Sequence, residues 1–319
     1  LERDQSRVSL LQSFDLASLA MAATVTIWAA NNIIVKSTVD TVAPIPYVFC
    51  RFAFVVLIIF GWYAIRGSIP RIPREDLKWF LLTAVSGFAI YNALFTAGLK
   101  YTTAFSSAVM ISISPLLASA IAHALHIERT RWVQWAGLII SSCGIGLFVW
   151  EKLRENNPAK GDILGLIAAL SFAIYSLAGR PIVQRHGALM VSAWSTLLGL
   201  IMITPFAIPS LIDQDWGAVG WGGWGAMFYS AAISMLLGYT IWGWAIQRTS
   251  VSRTVPFLYC VPILSGVLSY VFLDERFTIL KVGAALIVFA GVIIARSGGR
   301  SRRAVPAEIP ERELAIVRE

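Results

Sequence analysis

Acidic side chains are almost missing from the apolar stretches of this sequence. Charged residues make up 14% of the chain and apolar residues 57%, against about 25% and about 45–50% in soluble domains. That balance excludes an ordinary water-soluble domain. Cysteine occurs only at Cys50, Cys143 and Cys260, each in an apolar run and at no metal-ligand spacing, so neither a disulfide framework nor a thiolate metal centre is indicated. His123 and His126 form H-x-x-H with Glu128 close by, yet no further His stands near them in sequence. The pattern makes a poor metal site and a better proton carrier at His123. No acid, base and nucleophile occur together, which argues against a membrane-embedded enzyme. Neither a metal nor a cofactor is expected.

Long apolar runs are what the sequence has in excess. About 20 apolar residues cross the ~30 Å hydrocarbon layer of a bilayer as a helix. Ten runs qualify: 16–36, 44–65, 78–99, 102–126, 131–150, 162–180, 187–208, 223–246, 251–273 and 278–296. The expected fold is an all-α membrane protein with ten transmembrane helices. The first run is too long for a cleavable signal peptide and lacks a small-residue cleavage site. The net charge of +8 would suggest an acidic partner in a soluble protein, but its distribution points to membrane sidedness. With the N-terminus inside, eighteen of the 26 Lys and Arg fall in cytoplasmic segments and seven outside, the remaining one being Arg51 within a span. The positive-inside rule then places both termini in the cytoplasm. The stretch WGAVGWGGWG, 216–225, carries no Lys or Arg and reads as an outer-face loop with an interfacial Trp belt.

A repeat organises these runs. SPLLASAIAHALHIER, 114–129, returns as VPILSGVLSYVFLDER, 261–276, at an offset of 147 that also matches Gly144 to Gly291. Upstream the offset is 148, matching Tyr91 to Tyr239, Ala97 to Ala245 and Lys100 to Arg248. The repeat is half the protein. Five spans per half is an odd number, so the halves enter the membrane from opposite sides. The loop at 66–78 carries four Lys or Arg and its counterpart at 209–222 none, as inversion requires. The organisation read from this is a cytoplasmic segment 1–15, a first five-helix repeat 16–150, an external linker 151–161, a second repeat 162–296 and a cytoplasmic tail 297–319. Inverted repeats are the geometry of alternating access in secondary transporters, with the site near the midplane where helices of both halves are broken. Pro115 and Pro262 sit near the middle of their spans, and each frees a backbone carbonyl four residues earlier. They are the expected helix breaks.

Polar groups within spans are costly and are functional candidates by default. Those so placed are Asn31, Asn32, Tyr91, Asn92, Tyr175, Tyr239 and Tyr259; a helix-to-helix hydrogen bond is the competing role for each. Trp28 and Trp242 lie deep enough to wall an apolar cavity. Ser107, Ile111 and Ser114 share one helical stripe with Met110 beside it. Arg51 lies about 10 Å along its span at 1.5 Å per residue, and is expected to snorkel outward or pair structurally in preference to binding a carboxylate. Glu128 and Glu275, each followed by Arg, read as helix caps or structural partners. No Asp or Glu lies inside a span away from its ends, which disfavours proton-coupled export of cationic drugs through a buried carboxylate.

Taken together, IWAANNIIVK (27–36), PIPYVFCRFAF (44–54) and the long phrase 98–149 with its repeat at 246–295 resemble the drug/metabolite transporter superfamily, specifically its ten-helix EamA-type members. One departure is Trp28-Ala29, where many relatives have Trp-Gly. The resemblance implies a transporter, often an exporter, of small metabolites in the bacterial inner membrane. Within the family the chain is similar to YddG-type exporters of aromatic and neutral amino acids. The expected partners are an amino acid or related metabolite and the lipid bilayer, with no nucleic acid. An anion exchanger for nucleotide sugars or sugar phosphates is the alternative, and a channel or membrane enzyme the reading from another class.

Overall fold

A computed structural model describes residues 2–127, 131–154, 159–242 and 257–297. Among these residues eight helices are long and apolar enough to cross a membrane. They are α1 (Leu16–Thr38), α2 (Pro44–Ile65), α3 (Arg74–Tyr101), α4 (Ala104–Ala124), α5 (Trp132–Glu151), α6 (Lys160–His186), α7 (Ala188–Asp213) and α8 (Gly217–Trp242). Two shorter apolar helices follow, α9 (Cys260–Phe272) and α10 (Ile279–Ala295). No strand occurs among the described residues. Glu128, the first residues of the ninth expected span and the tail from 298 onward lie outside the described set.

Helix ends follow local chemistry. Proline stands in the first turn of α2, and Gly67, at φ +67°, follows its C-cap residue Arg66, where a left-handed residue suits glycine. At the start of α4 the Thr103 hydroxyl accepts a hydrogen bond from Ser106 N at 3.0 Å, and Glu275 accepts from Ala104 N through both carboxylate oxygens at 3.1 and 3.2 Å. A carboxylate at a helix N-terminus satisfies an orphan donor and meets the positive end of the helix dipole. The aromatic-glycine stretch is less of a loop than its composition suggests. Asp215 Oδ1 accepts from Gly217 N and Ala218 N at 3.0 and 3.2 Å, so helical structure begins at Gly217. Trp216 and Trp224 stack at 5.5 Å, and Trp221 is 93% exposed.

Four of the helices are irregular, in matching places. In α4 the first piece ends at Ile111 and the second begins at Ser114, leaving Ser112 and Ile113 as the break before Pro115. The Ser112 hydroxyl donates to Val109 O at 2.7 Å. The corresponding break is at Tyr259, the residue 147 positions after Ser112, immediately before α9 and three before Pro262. Within α3, Ala84–Ile90 is π-helical, and within α8, Tyr229–Leu237 is. Tyr91 follows the first π segment directly and Tyr239 the second by one residue. Sequence periodicity gave no sign of the π segments, which recur at functional sites in helices.

The most extensive helix contact joins α5 to α10. It is antiparallel and nearly backbone on backbone: Gly137 meets Gly291 and Ala295, Gly144 meets Ala284 and Val288, and the Ser141 hydroxyl at the crossing donates to Val288 O at 3.0 Å. Small residues allow this approach where lipid offers no hydrophobic drive for helices to associate.

Candidate functional site

Two aromatic groups flank the two π segments. On one side Trp28 of α1 covers Gly238, donates its indole Nε1–H to Ser234 O at 3.2 Å, and packs against Tyr239 and Trp242 with ring centroids at 5.3 and 5.4 Å. On the other, Tyr175 of α6 lies so close over Gly87 that no side chain fits there. Tyr175 is 5.4 Å from Phe172 and 5.9 Å from Phe88, and Phe172 is 5.0 Å from Tyr91. Trp28 and Tyr175 stand 147 residues apart, the offset of the longer repeat. In each group a side chain also donates to a carbonyl of the π segment: Trp28 to Ser234, and Asn92 Nδ2 to Gly87 at 3.0 Å. The groups stand on neighbouring helices, because α1, which carries Trp28, packs against both α8 and α3, and α3 packs against α6. Tyr239 is 41% exposed, while Trp28, Tyr91, Tyr175 and Trp242 are partly buried.

Arg51 completes this arrangement, and of the two roles expected for it, snorkelling or a structural pairing, it makes a pairing. Its side chain is only 7% exposed, its Nη1 donates to Asn92 Oδ1 at 3.2 Å, and its buried Nε has no hydrogen-bond partner. Asn92, to which it is joined, directly follows Tyr91 on α3. Sequence length alone could not reveal this, because a long side chain about 10 Å along a span can reach an interface; helix packing here leaves it no such route.

The remaining candidates are placed as follows. Asn31 Oδ1 accepts a short hydrogen bond from Ser230 Oγ, which also pairs with Tyr47 Oη at 2.7 Å, and Asn32 Nδ2 donates to Ser265 Oγ at 3.0 Å. Both asparagines thus tie α1 to helices of the other half. Met110 is fully buried against Gly165. Ser107 and Ser114 are buried, and the Ser107 hydroxyl has no hydrogen-bond partner. Tyr259 sits partly buried at the second helix break, against the core formed by α4, α5, α6 and α10. Pro115 is exposed and Pro262 buried. His123 lies edge-on to Trp135 at 5.6 Å, away from the aromatic groups.

Buried carboxylates among the described residues are Asp76, Glu151 and Asp162, all at helix ends. Asp76 is paired with Arg185 and His186, each at 2.6 Å. Thr102 donates to Asp162 at 2.5 Å, and Thr278 donates to Glu151. These contacts hold helix ends together and leave the middle of the bundle to aromatic, amide and guanidinium groups.

A bundle of apolar helices with polar and aromatic groups gathered at its broken segments is a multi-pass membrane protein of transporter type. Residues 15–150 and 159–297 match the EamA-like transporter family, and the chain belongs to it. It is therefore a transporter and not an enzyme. A probable amino-acid metabolite efflux pump of Salmonella typhimurium is 26% identical across 88% of this chain and 94% of that protein. A probable terminal-alkyne amino-acid exporter of Streptantibioticus cattleyicolor is 25% identical across 73% of this chain and 79% of that protein. An uncharacterised transporter of Archaeoglobus fulgidus is 22% identical across 86% and 96%. A solved crystal structure, 19% identical and covering 90% of this chain and 99% of its own, has the same fold at a TM-score of 0.61.

Proposed function

We propose that this protein exports small zwitterionic metabolites, neutral or aromatic amino acids, across the bacterial inner membrane by alternating access at the site between its halves. The observation that carries this reading is the pairing of Trp28 on Gly238 with Tyr175 on Gly87, one helix from each half in either contact. A site shared in this way opens to one side and then to the other as the halves rock. The relatives named as amino-acid exporters support the substrate class.

The reading includes ten spans in two inverted repeats, with both termini cytoplasmic. The helix neighbours support it. Exchanging α1–α5 for α6–α10 turns the α1–α8 contact into α6–α3, α1–α9 into α6–α4 and α2–α8 into α7–α3, while α2–α7, α4–α9 and α5–α10 map onto themselves; all of these contacts occur. The family match likewise falls in two segments, one per half. Contacts between helix ends also join segments assigned to one side: Asp76 with Arg185, and Trp194 with Pro70 O at 2.8 Å, inside; Gln214 with Ala43 N at 2.8 Å, and Glu275 with Ala104 N, outside. The decisive experiment is counterflow in proteoliposomes with labelled amino acids, sugar phosphates and organic cations. Counterflow of neutral or aromatic amino acids alone is expected without a proton gradient; sugar-phosphate exchange in their place would overturn the reading.

A further inference from the structure

We infer that Arg51 is the anion-receiving group of the central site, and that the protein selects its substrates by a single carboxylate while reading their ammonium group only through aromatic faces. The inference rests on the amino-acid transporter reading above and names what that site recognises.

Arg51 is a cation 7% exposed, in the middle of a bundle whose buried carboxylates, among the described residues, all stand at helix ends. A guanidinium presents five N–H donors. Among the described residues its one hydrogen-bond partner is the neutral Asn92 amide, and its Nε–H has none. Removing a charge from water without a counter-ion is strongly unfavourable, so a buried Arg held only by an amide is poised to receive an anion. A planar fork of donors fits a carboxylate in bidentate fashion. Asn92 is in turn fixed by its bond to Gly87 O, so the guanidinium is anchored through the π segment.

The anionic part of the ligand follows by counting. One guanidinium pairs one carboxylate in full, a phosphate dianion would keep one negative charge unpaired, and the ammonium of an amino acid is left for other groups to meet. Among the described residues the buried carboxylates stand at helix ends, away from Arg51's place in α2, and none is offered there to a substrate ammonium. Trp28, Tyr239 and Trp242 offer ring faces, where a cation gains about 0.5–2 kcal/mol. Such a surface accepts an ammonium without requiring one.

The test uses the purified full chain in proteoliposomes, with counterflow of labelled phenylalanine competed by three unlabelled molecules of matched skeleton: phenylalanine, its decarboxylated amine and its α-keto acid. The keto acid is expected to compete within a few-fold of phenylalanine, and the amine more than about tenfold less well, the scale of a charged hydrogen-bonded contact. Arg51→Gln should lower phenylalanine affinity at least about tenfold, with Arg51→Lys retaining part of it. Equal competition by the amine, or an amino-acid requirement that the keto acid fails to meet, overturns this inference while leaving amino-acid transport standing. Absence of counterflow with any amino acid in the wild type would instead defeat the reading on which it rests. If Arg51→Gln does not fold, the wild-type competition series decides alone.

Discussion

Replacing Gly291 by alanine should cost this protein a measurable part of its stability, and the size follows from the α5–α10 crossing. A Cβ placed on Gly291 would stand 2.5 Å from Gly137 O, Ser141 N and Ser141 Oγ, where ordinary contact begins near 3.4 Å. Two of those atoms are backbone, so the helices must part by about 1 Å. A gap of that size forfeits a quarter to a half of each dispersion contact along the seam. It also carries the 3.0 Å bond from Ser141 to Val288 O beyond hydrogen-bonding range. Overpacking of about 1–3 kcal/mol and an interhelical hydrogen bond of about 0.6–1 kcal/mol together come to about 2–4 kcal/mol. For a chain of this length that corresponds to a melting temperature lowered by roughly 4–8 °C. Thermal melts followed by size-exclusion in detergent would measure it. The control lies on the facing helix α5: a Cβ on Gly146 meets nothing within 4 Å, so Gly146→Ala should be neutral or slightly stabilising through helix propensity. If Gly291→Ala melted with the wild type, or if both variants fell equally, the close-packed seam would be wrong.

Glu275→Ala removes the carboxylate that caps α4 and should destabilise by about 1–2 kcal/mol while transport per folded molecule is largely kept; a transport loss without a change in melting would refute the capping role. Tyr91→Ala and Tyr239→Ala should weaken transport and leave folding intact. Because altered packing gives the same kinetics, single cysteines at Tyr91, Ser114 and Tyr239 should be labelled with and without substrate, and an absence of protection in well-folded protein would remove them from the site. For orientation, a tag inserted after Gln214 should be reached from outside the cell and one after Ser68 only after permeabilisation; reaction of both from one side would falsify the inverted arrangement.

Much of the architecture was legible because the physics is local. An apolar run of about 20 residues has few fates besides a buried or spanning helix, and Pro115 and Pro262 announced breaks that appear at Ser112–Ile113 and Tyr259. Trp28, Tyr91, Tyr175, Tyr239 and Trp242 were picked out as expensive or deep residues, and the structure sets Trp28 against Tyr239 and Trp242, and Tyr91 and Tyr175 against a shared Phe172. What could not be read depends on neighbours far away in the sequence. AVSGFAI and YSAAISMLL carry no proline, and their π turns coincide with Gly87 lying under Tyr175 and Ser234 O accepting from Trp28. The environment of Arg51 was likewise invisible, since the same side chain on an exposed face would snorkel. A usable signal was the adjacency of Tyr91 and Asn92 on a span facing an intramembrane Arg, which together supply a donor fork, an anchor and a ring.

The crossing of α5 and α10 has a consequence that two separate copies of the half could not share. In a pair of identical chains, any residue placed at one end of the seam would also stand at the other, so the two ends would open or close together. Joined in one chain, they are free to differ. The repeat offset sets Ala284 opposite Gly137 in the alignment of the halves, and the two ends approach similarly closely: a Cβ on Gly291 would lie 2.5 Å from Gly137 O, and one on Gly144 2.8 Å from Ala284 O. A single chain can thus carry glycine at one end of the crossing and alanine at the other, a choice that two identical copies could not make separately.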